Sequence, residues 1–114
     1  MTTQIDIARA YVDALLTHDG DSVPFAPDAV RYENGLKTGR SGNGLRRSLS
    51  RGPQYRVIRA IREFEATLDA DTVHTAYLLD IGLFARWFTV RIREDFLIPQ
   101  DLHIHRIQAH INLP

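Results

Sequence analysis

Apolar residues recur at Ile5, Ala8, Val12, Leu15 and Leu16, the three-to-four spacing of one helix face. This predicts a helix from Thr3 to about His18. Thr3 with Asp6 three residues later resembles a capping box, and Gly20 is a natural stop. Tyr11 borders the stripe, so its ring can pack inward while its hydroxyl seeks a partner. A short second helix is expected from Asp21 to Phe25, with Pro24 in its first turn and Pro27 ending it.

Beyond this point alternation takes over. Val30 to Glu33 reads as a short strand, closed by Asn34-Gly35, a favoured hairpin pair, and followed by Leu36–Thr38. Gly39–Gly44 is a loop. A third helix covers about Asn43 to Arg51, with Ser41 or Asn43 as N-cap, Leu45 and Leu49 inward, and Gly52-Pro53 as its stop. Long strands follow at Tyr55–Leu68, Thr72–Ile81, Phe84–Ile98 and His103–Ile111, with turns at Asp69–Asp71 and Pro99–Asp101. Three helices ahead of mainly antiparallel strands make an α+β domain, with helices on one face of a curved sheet. Residues 1–114 form one domain without repeat or linker.

Composition narrows the function classes. The apolar and charged fractions, 44% and 25%, are ordinary for a soluble globular chain. With no cysteine there is no disulfide, thiolate metal site or cysteine nucleophile. No apolar run reaches bilayer length and the start lacks a signal-peptide pattern, so a cytoplasmic protein without membrane contact is expected. A net charge of zero argues against a nucleic-acid partner. The charge is unevenly spread. Residues 1–33 hold six acids against Arg9 and Arg31, whereas 40–62 hold seven arginines and no acid. Most of those arginines are expected on solvated faces; an anionic ligand or a subunit contact is the alternative.

Several segments carry a family resemblance. "ARAYVDALLTHDGD", "FAPDAVRYENG", "GRSGNGLRRSL" and "REDFLIPQDLHIHRIQAHI" resemble the first helix, the helix-to-strand element, the third helix and the final hairpin of the nuclear transport factor 2-like superfamily. That group includes ketosteroid isomerase, SnoaL-type cyclases and limonene epoxide hydrolase, and the chain also resembles small actinobacterial SnoaL-like proteins. The resemblance covers nearly the whole chain. It implies a cone-shaped fold with a pocket between helices and sheet, and a homodimer through the outer sheet face. Function is not implied, since the superfamily holds enzymes and binding proteins alike.

By the same resemblance, Tyr11 falls at the isomerase's helix tyrosine and Glu33 at its strand base. A carboxylate in an apolar pocket has a raised pKa suited to removing a proton next to a carbonyl, and a phenol can hold the enolate oxygen. The isomerase's second acid would fall near Phe88 or Thr89, and neither is an acid. Strand parity places Arg86, Phe88 and Glu94 on the helix-covered side, with Asp80 on the neighbouring strand. Tyr55, Asp80, Arg86, Phe88 and Glu94 are therefore the expected pocket residues, and Asp80, Arg86 and Glu94 are a possible water-activating set. His103 and His105, with His74, have some ligand-like spacing, but no metal is expected without further convergent ligands. Trp87 alternates with Arg91 and Arg93 on the other face, a candidate dimer anchor. The sequence is thus read as a cofactor-free pocket for a small apolar organic molecule, steroid- or polyketide-like, with isomerase-like proton transfer as the leading activity. A non-catalytic ligand-binding or dimerisation module is the alternative.

Overall fold

The computed structural model describes residues 1–112. Its first helix, α1 (Gln4–Thr17), opens on the expected capping box: Thr3 Oγ1 accepts from the Asp6 amide at 3.2 Å, and Asp6 accepts from the Thr3 amide at 2.8 Å. The helix ends one turn before Gly20, because His18 itself takes the left-handed conformation (φ 62°). Its buried stripe is Ile7, Ala8, Tyr11, Val12 and Leu15, while Leu16 is exposed. Tyr11 therefore sits in the middle of the buried face, its ring packed edge-on against Phe96 at 5.2 Å.

The expected helix at Asp21–Phe25 is a single 3-10 turn, Gly20–Ser22, and Phe25 already begins β1 (Phe25–Glu33). Three residues cannot sustain a helix there, and the fixed φ of Pro24 and Pro27 suits an extended chain equally well. Pro27 falls in the gap where β1 leaves its ladder between Phe25 and Val30, so its missing N–H costs no pairing. β2 (Leu36–Gly39), α2 (Gly42–Arg51), a second 3-10 turn (Pro53–Tyr55), β3 (Ile58–Asp69), β4 (Thr72–Leu83), β5 (Arg86–Leu97) and β6 (Ile104–Asn112) follow. Among the described residues two α-helices, rather than three, accompany the sheet.

The six strands lie in the order β2-β1-β6-β5-β4-β3, all antiparallel neighbours except β1 and β6, which run parallel. One face packs on α1 and α2 over a core that includes Val73, Phe96, Ile98, Ile104 and Ile107. Curvature has a visible cause. β3 carries a bulge between Arg62 and Glu65 with Glu63 at φ 55°. There Phe64 packs beside Tyr77 and takes the Arg9 guanidinium over its ring at 4.7 Å. α2 is capped by Ser41, whose hydroxyl accepts from the Gly44 amide at 3.0 Å.

α2 approaches β1 so closely that a Cβ on Gly42 would stand 2.3 Å from the Ala26 carbonyl oxygen. Backbone cannot yield as a side chain does. Gly42→Ala is expected to cost about 1–3 kcal/mol, lowering the thermal midpoint by roughly 4–12 °C. Ser41→Ala, which only removes the cap, should cost about 1 kcal/mol. Thermal unfolding followed by circular dichroism compares the two.

A buried carboxyl and an arginine-held pair of phenols

The register of the sheet brings one row of residues across four strands. Thr75 of β4 pairs with Glu94 of β5, Glu94 with Ala109 of β6, and Ala109 with Glu33 of β1. Glu94 and Glu33 thus flank a methyl group, about 10 Å apart at two strand spacings. The small Ala109 side chain leaves room on the helix-covered face. A cavity of about 230 Å³ opens there, bounded by these three residues, by Tyr11 of α1, by Gln54 and Tyr55 of the second 3-10 turn, and by apolar side chains of β4 and β5.

Glu94 is buried. Tyr77 pairs with Ile92, so its phenol lies diagonal to Glu94 and donates to Oε1. Burial pushes the Glu94 carboxyl up to about 7 and outweighs the Tyr77 hydrogen bond and the Arg31 charge, which pull the other way. Burial, reinforced by the negative charge at Glu94, also raises the Tyr77 and Tyr11 phenols well above their ordinary value.

Alternation along β1 points Ala29, Arg31 and Glu33 to the same side. Arg31 is buried beneath the cavity wall. Its Nε donates to Thr38 Oγ1 at 3.1 Å and its Nη2 to the Thr38 carbonyl at 3.3 Å. Nη1 donates to the Tyr55 hydroxyl at 2.7 Å and reaches the Tyr11 hydroxyl at 3.4 Å. Burial works against this charge, but the two phenolic oxygens and Glu33 outweigh it, so Arg31 stays firmly protonated. A guanidinium can only donate. Tyr11 and Tyr55 are therefore acceptors toward Arg31, and their own O–H protons remain available to a group in the cavity.

Of the expected site residues, the structure gathers Tyr11, Glu33, Tyr55 and Glu94 around this cavity. Glu33 stands at its edge, partly exposed, with Oε1 3.7 Å from Arg31 Nε. The environment expected of Glu33, a carboxyl in apolar surroundings, belongs instead to Glu94. The other three residues lie elsewhere. Asp80 points to the outer face, where Arg62 donates to both its oxygens at 2.7 and 2.9 Å and Thr89 donates at 2.8 Å. Those hydrogen bonds hold Asp80 below the usual carboxylate range. Arg86 and Phe88 have the parity expected of them but sit at the β4–β5 hairpin end, past the cover of the helices, and are exposed. The water-activating set of Asp80, Arg86 and Glu94 is therefore not assembled.

Tyr77 and Arg31 were not singled out from the sequence. Each shares parity with apolar neighbours, Tyr77 with Leu79 and Ile81, Arg31 with Ala29. A polar residue at an inward position was the available signal. His103 and His105 both engage Asp101, and His74 engages Asp95 at 2.7 Å. Among the described residues no three metal-ligating side chains converge.

Known structures share this architecture. An epoxide hydrolase of the limonene epoxide hydrolase-like type from M. tuberculosis matches with a TM-score of 0.76 at 17% identity, over 96% of this chain and 82% of that one. A hypothetical protein with a ketosteroid isomerase-like fold from Catenulispora acidiphila, in complex with trimethylamine, matches at 0.74 and 14% identity, over 94% and 85%. A protein from Sphaerobacter thermophilus matches at 0.74 and 18%, over 96% of each chain. At such identities the likeness is one of fold: the chain has the nuclear transport factor 2-like architecture. No curated protein matches it. A family model described as a domain of unknown function (DUF8021) matches residues 1–111, and the chain belongs to that family.

Proposed function

We propose that the cavity moves a proton next to a carbonyl group of a small apolar molecule, with Glu94 as the acid–base group and the Tyr11 and Tyr55 hydroxyls as the oxygen-binding pair. The observation that carries this reading is Glu94: a buried carboxyl lining an apolar cavity, where burial pushes its pKa up to about 7. A group whose pKa lies near the working pH serves as both base and acid. Ionised Glu94 takes the proton from the carbon next to the carbonyl. The C–H electrons move toward the carbonyl oxygen, and the enolate accepts hydrogen bonds from Tyr11 and Tyr55. Protonated Glu94 then returns the proton to the same or a conjugated carbon, so no cofactor enters the balance. Arg31 holds both phenols and disperses the charge that develops beside them.

The cavity limits the ligand. Its volume of about 230 Å³ exceeds the ~150 Å³ that accommodates benzene and falls short of the ~300–1,000 Å³ of typical drug-sized sites. A compact ketone of one or two rings fits better than a four-ring steroid.

Three outcomes test the reading. In deuterated buffer, protein added to one- and two-ring enones should accelerate exchange at the carbon next to the carbonyl, with an inflection near pH 7. Glu94→Gln should abolish that exchange, and Tyr11→Phe should slow it by about 10². A ligand that raises the melting temperature without any exchange would mark a binding module instead. Ala109→Leu should remove both effects by filling the cavity while the fold persists.

Glu94 also makes stability depend on pH. Its folded pKa lies above the ordinary 4.5, so the folded state holds the proton more tightly. Its contribution is greatest at low pH, declines as pH rises from 4.5 to about 7, and then levels off after a loss of about 3 kcal/mol. Glu94→Gln keeps an acceptor for Tyr77 and should remove that decline. Urea midpoints of the two proteins, compared across this range, should diverge in favour of the variant above pH 7.

A further inference from the structure

The β4–β5 hairpin ends unlike the others in this sheet. Its turn residues, Phe84 and Ala85, both have positive φ, 51° and 62°. This is the pattern of a type I′ turn, which favours Asn-Gly or Asp-Gly. The β1–β2 hairpin meets the same demand with Asn34 and Gly35, at 49° and 84°. A bulky side chain in the left-handed region is strained, and Phe84, 89% exposed, gains no burial in return. Sheet stability does not account for it.

Three more large apolar residues surround the tip: Trp87 at 68% exposure, Phe88 at 43% and Leu83 at 40%. Leu83 and Phe88 face the helix side of the sheet, Trp87 faces the outer side, and Phe84 caps the end. The hairpin carries exposed apolar side chains on every side. Around it stand the exposed Arg56, Arg59 and Arg86, none paired with an acid among the described residues. The Arg59 stem and the Trp87 ring both lie over Gly82. Neither 40–62 nor 81–93 contains an acid, and Asp80 is already held by Arg62 and Thr89.

We propose that this hairpin docks on an anionic lipid surface, placing Phe84 and Trp87 at the headgroup–acyl boundary with the arginines among the lipid phosphates. A protein groove covers one side of what it binds, whereas a tip with apolar side chains all round suits a medium that surrounds it. A symmetric contact between two copies would press onto itself a patch that carries unpaired arginines and no free acid. Aromatic rings and arginine stems with charged ends are the side chains that favour a membrane interface. No helix among the described residues is long and apolar enough to cross a membrane; docking needs only the tip. Phe88 pairs with Ile81, a residue of the cavity wall, so docking would hold the cavity beside a reservoir of apolar molecules. Lipid binding itself does not depend on the proton-transfer reading.

Trp87 is the single tryptophan and serves as the reporter. With vesicles of phosphatidylcholine and phosphatidylglycerol in equal parts, its emission should shift to the blue and the protein should co-sediment. Neither should occur with phosphatidylcholine alone, and added salt should weaken both. Phe84→Asn relieves the turn, so its melting temperature should rise by about 2–5 °C while vesicle binding falls at least about tenfold. The proposal is overturned by absence of binding to the anionic vesicles, by equal binding to neutral ones, or by unchanged binding of Phe84→Asn. A vesicle-free blue shift that grows with concentration as light scattering records a doubled mass would assign the patch to a second copy, and would overturn it equally.

Discussion

A buried guanidinium sets the terms for everything near the cavity. Taking a charge out of water costs several kcal/mol unless hydrogen bonds and an opposite charge replace the lost hydration. Arg31 finds these replacements in Thr38, Tyr11, Tyr55 and Glu33. They come from β2, α1, the second 3-10 turn and β1 itself. One side chain thereby ties four separate parts of the chain to a common point, and α1, the second 3-10 turn and β1 each contribute a wall or an edge of the cavity. Loss of any partner would leave the others facing an under-satisfied charge, so the polar lining is fixed as a unit.

The carboxyl on the same face follows a different logic. Glu94 has one phenolic donor and apolar surroundings, with Arg31 acting only through its field. It is therefore poised between protonation states, whereas Arg31 is held in one. The sheet permits this contrast because the residue between Glu94 and Glu33 is an alanine, which separates the two carboxyls without filling the space. Two acidic groups in one row thus acquire opposite characters: one solvated and ion-paired, the other dry and titratable.

Much of the architecture is legible in the sequence. The capping box, the Ser41 cap, the Asn34-Gly35 turn and the alternation on β5 are all local signals, and the structure follows each of them. The misses occur where local signals are silent. Pro24 fits a helix start and Pro27 a helix stop, but both fit an extended strand equally, and pairing with β6 decides for the strand. The turn at Phe84–Ala85 carries no turn residue, so it reads as part of a strand. Parity placed Arg86, Phe88 and Glu94 on one side correctly, but parity does not say how far along β5 the helices reach. Only Glu94 lies under them. Asp80 lies on the neighbouring strand as expected, but its parity, opposite to that of Tyr77 and Leu79, directs it outward. Arg31 resembles any surface arginine until the strands are in register, because its partners are brought to it by the fold.

The pairing of β1 with β6 has a consequence in time. Asn34 lies 77 positions before Ile111, yet its side chain accepts from the Ile111 amide and its own amide donates to the Ala109 carbonyl. The cavity floor is completed by β6, which follows β1 to β5 in the chain. Until β6 inserts between β1 and β5, no ladder joins the strands that carry Arg31 and Glu94. The spacing of the site's charged groups is thus set only once β6 has been made and inserted, and ligand capture waits on that strand.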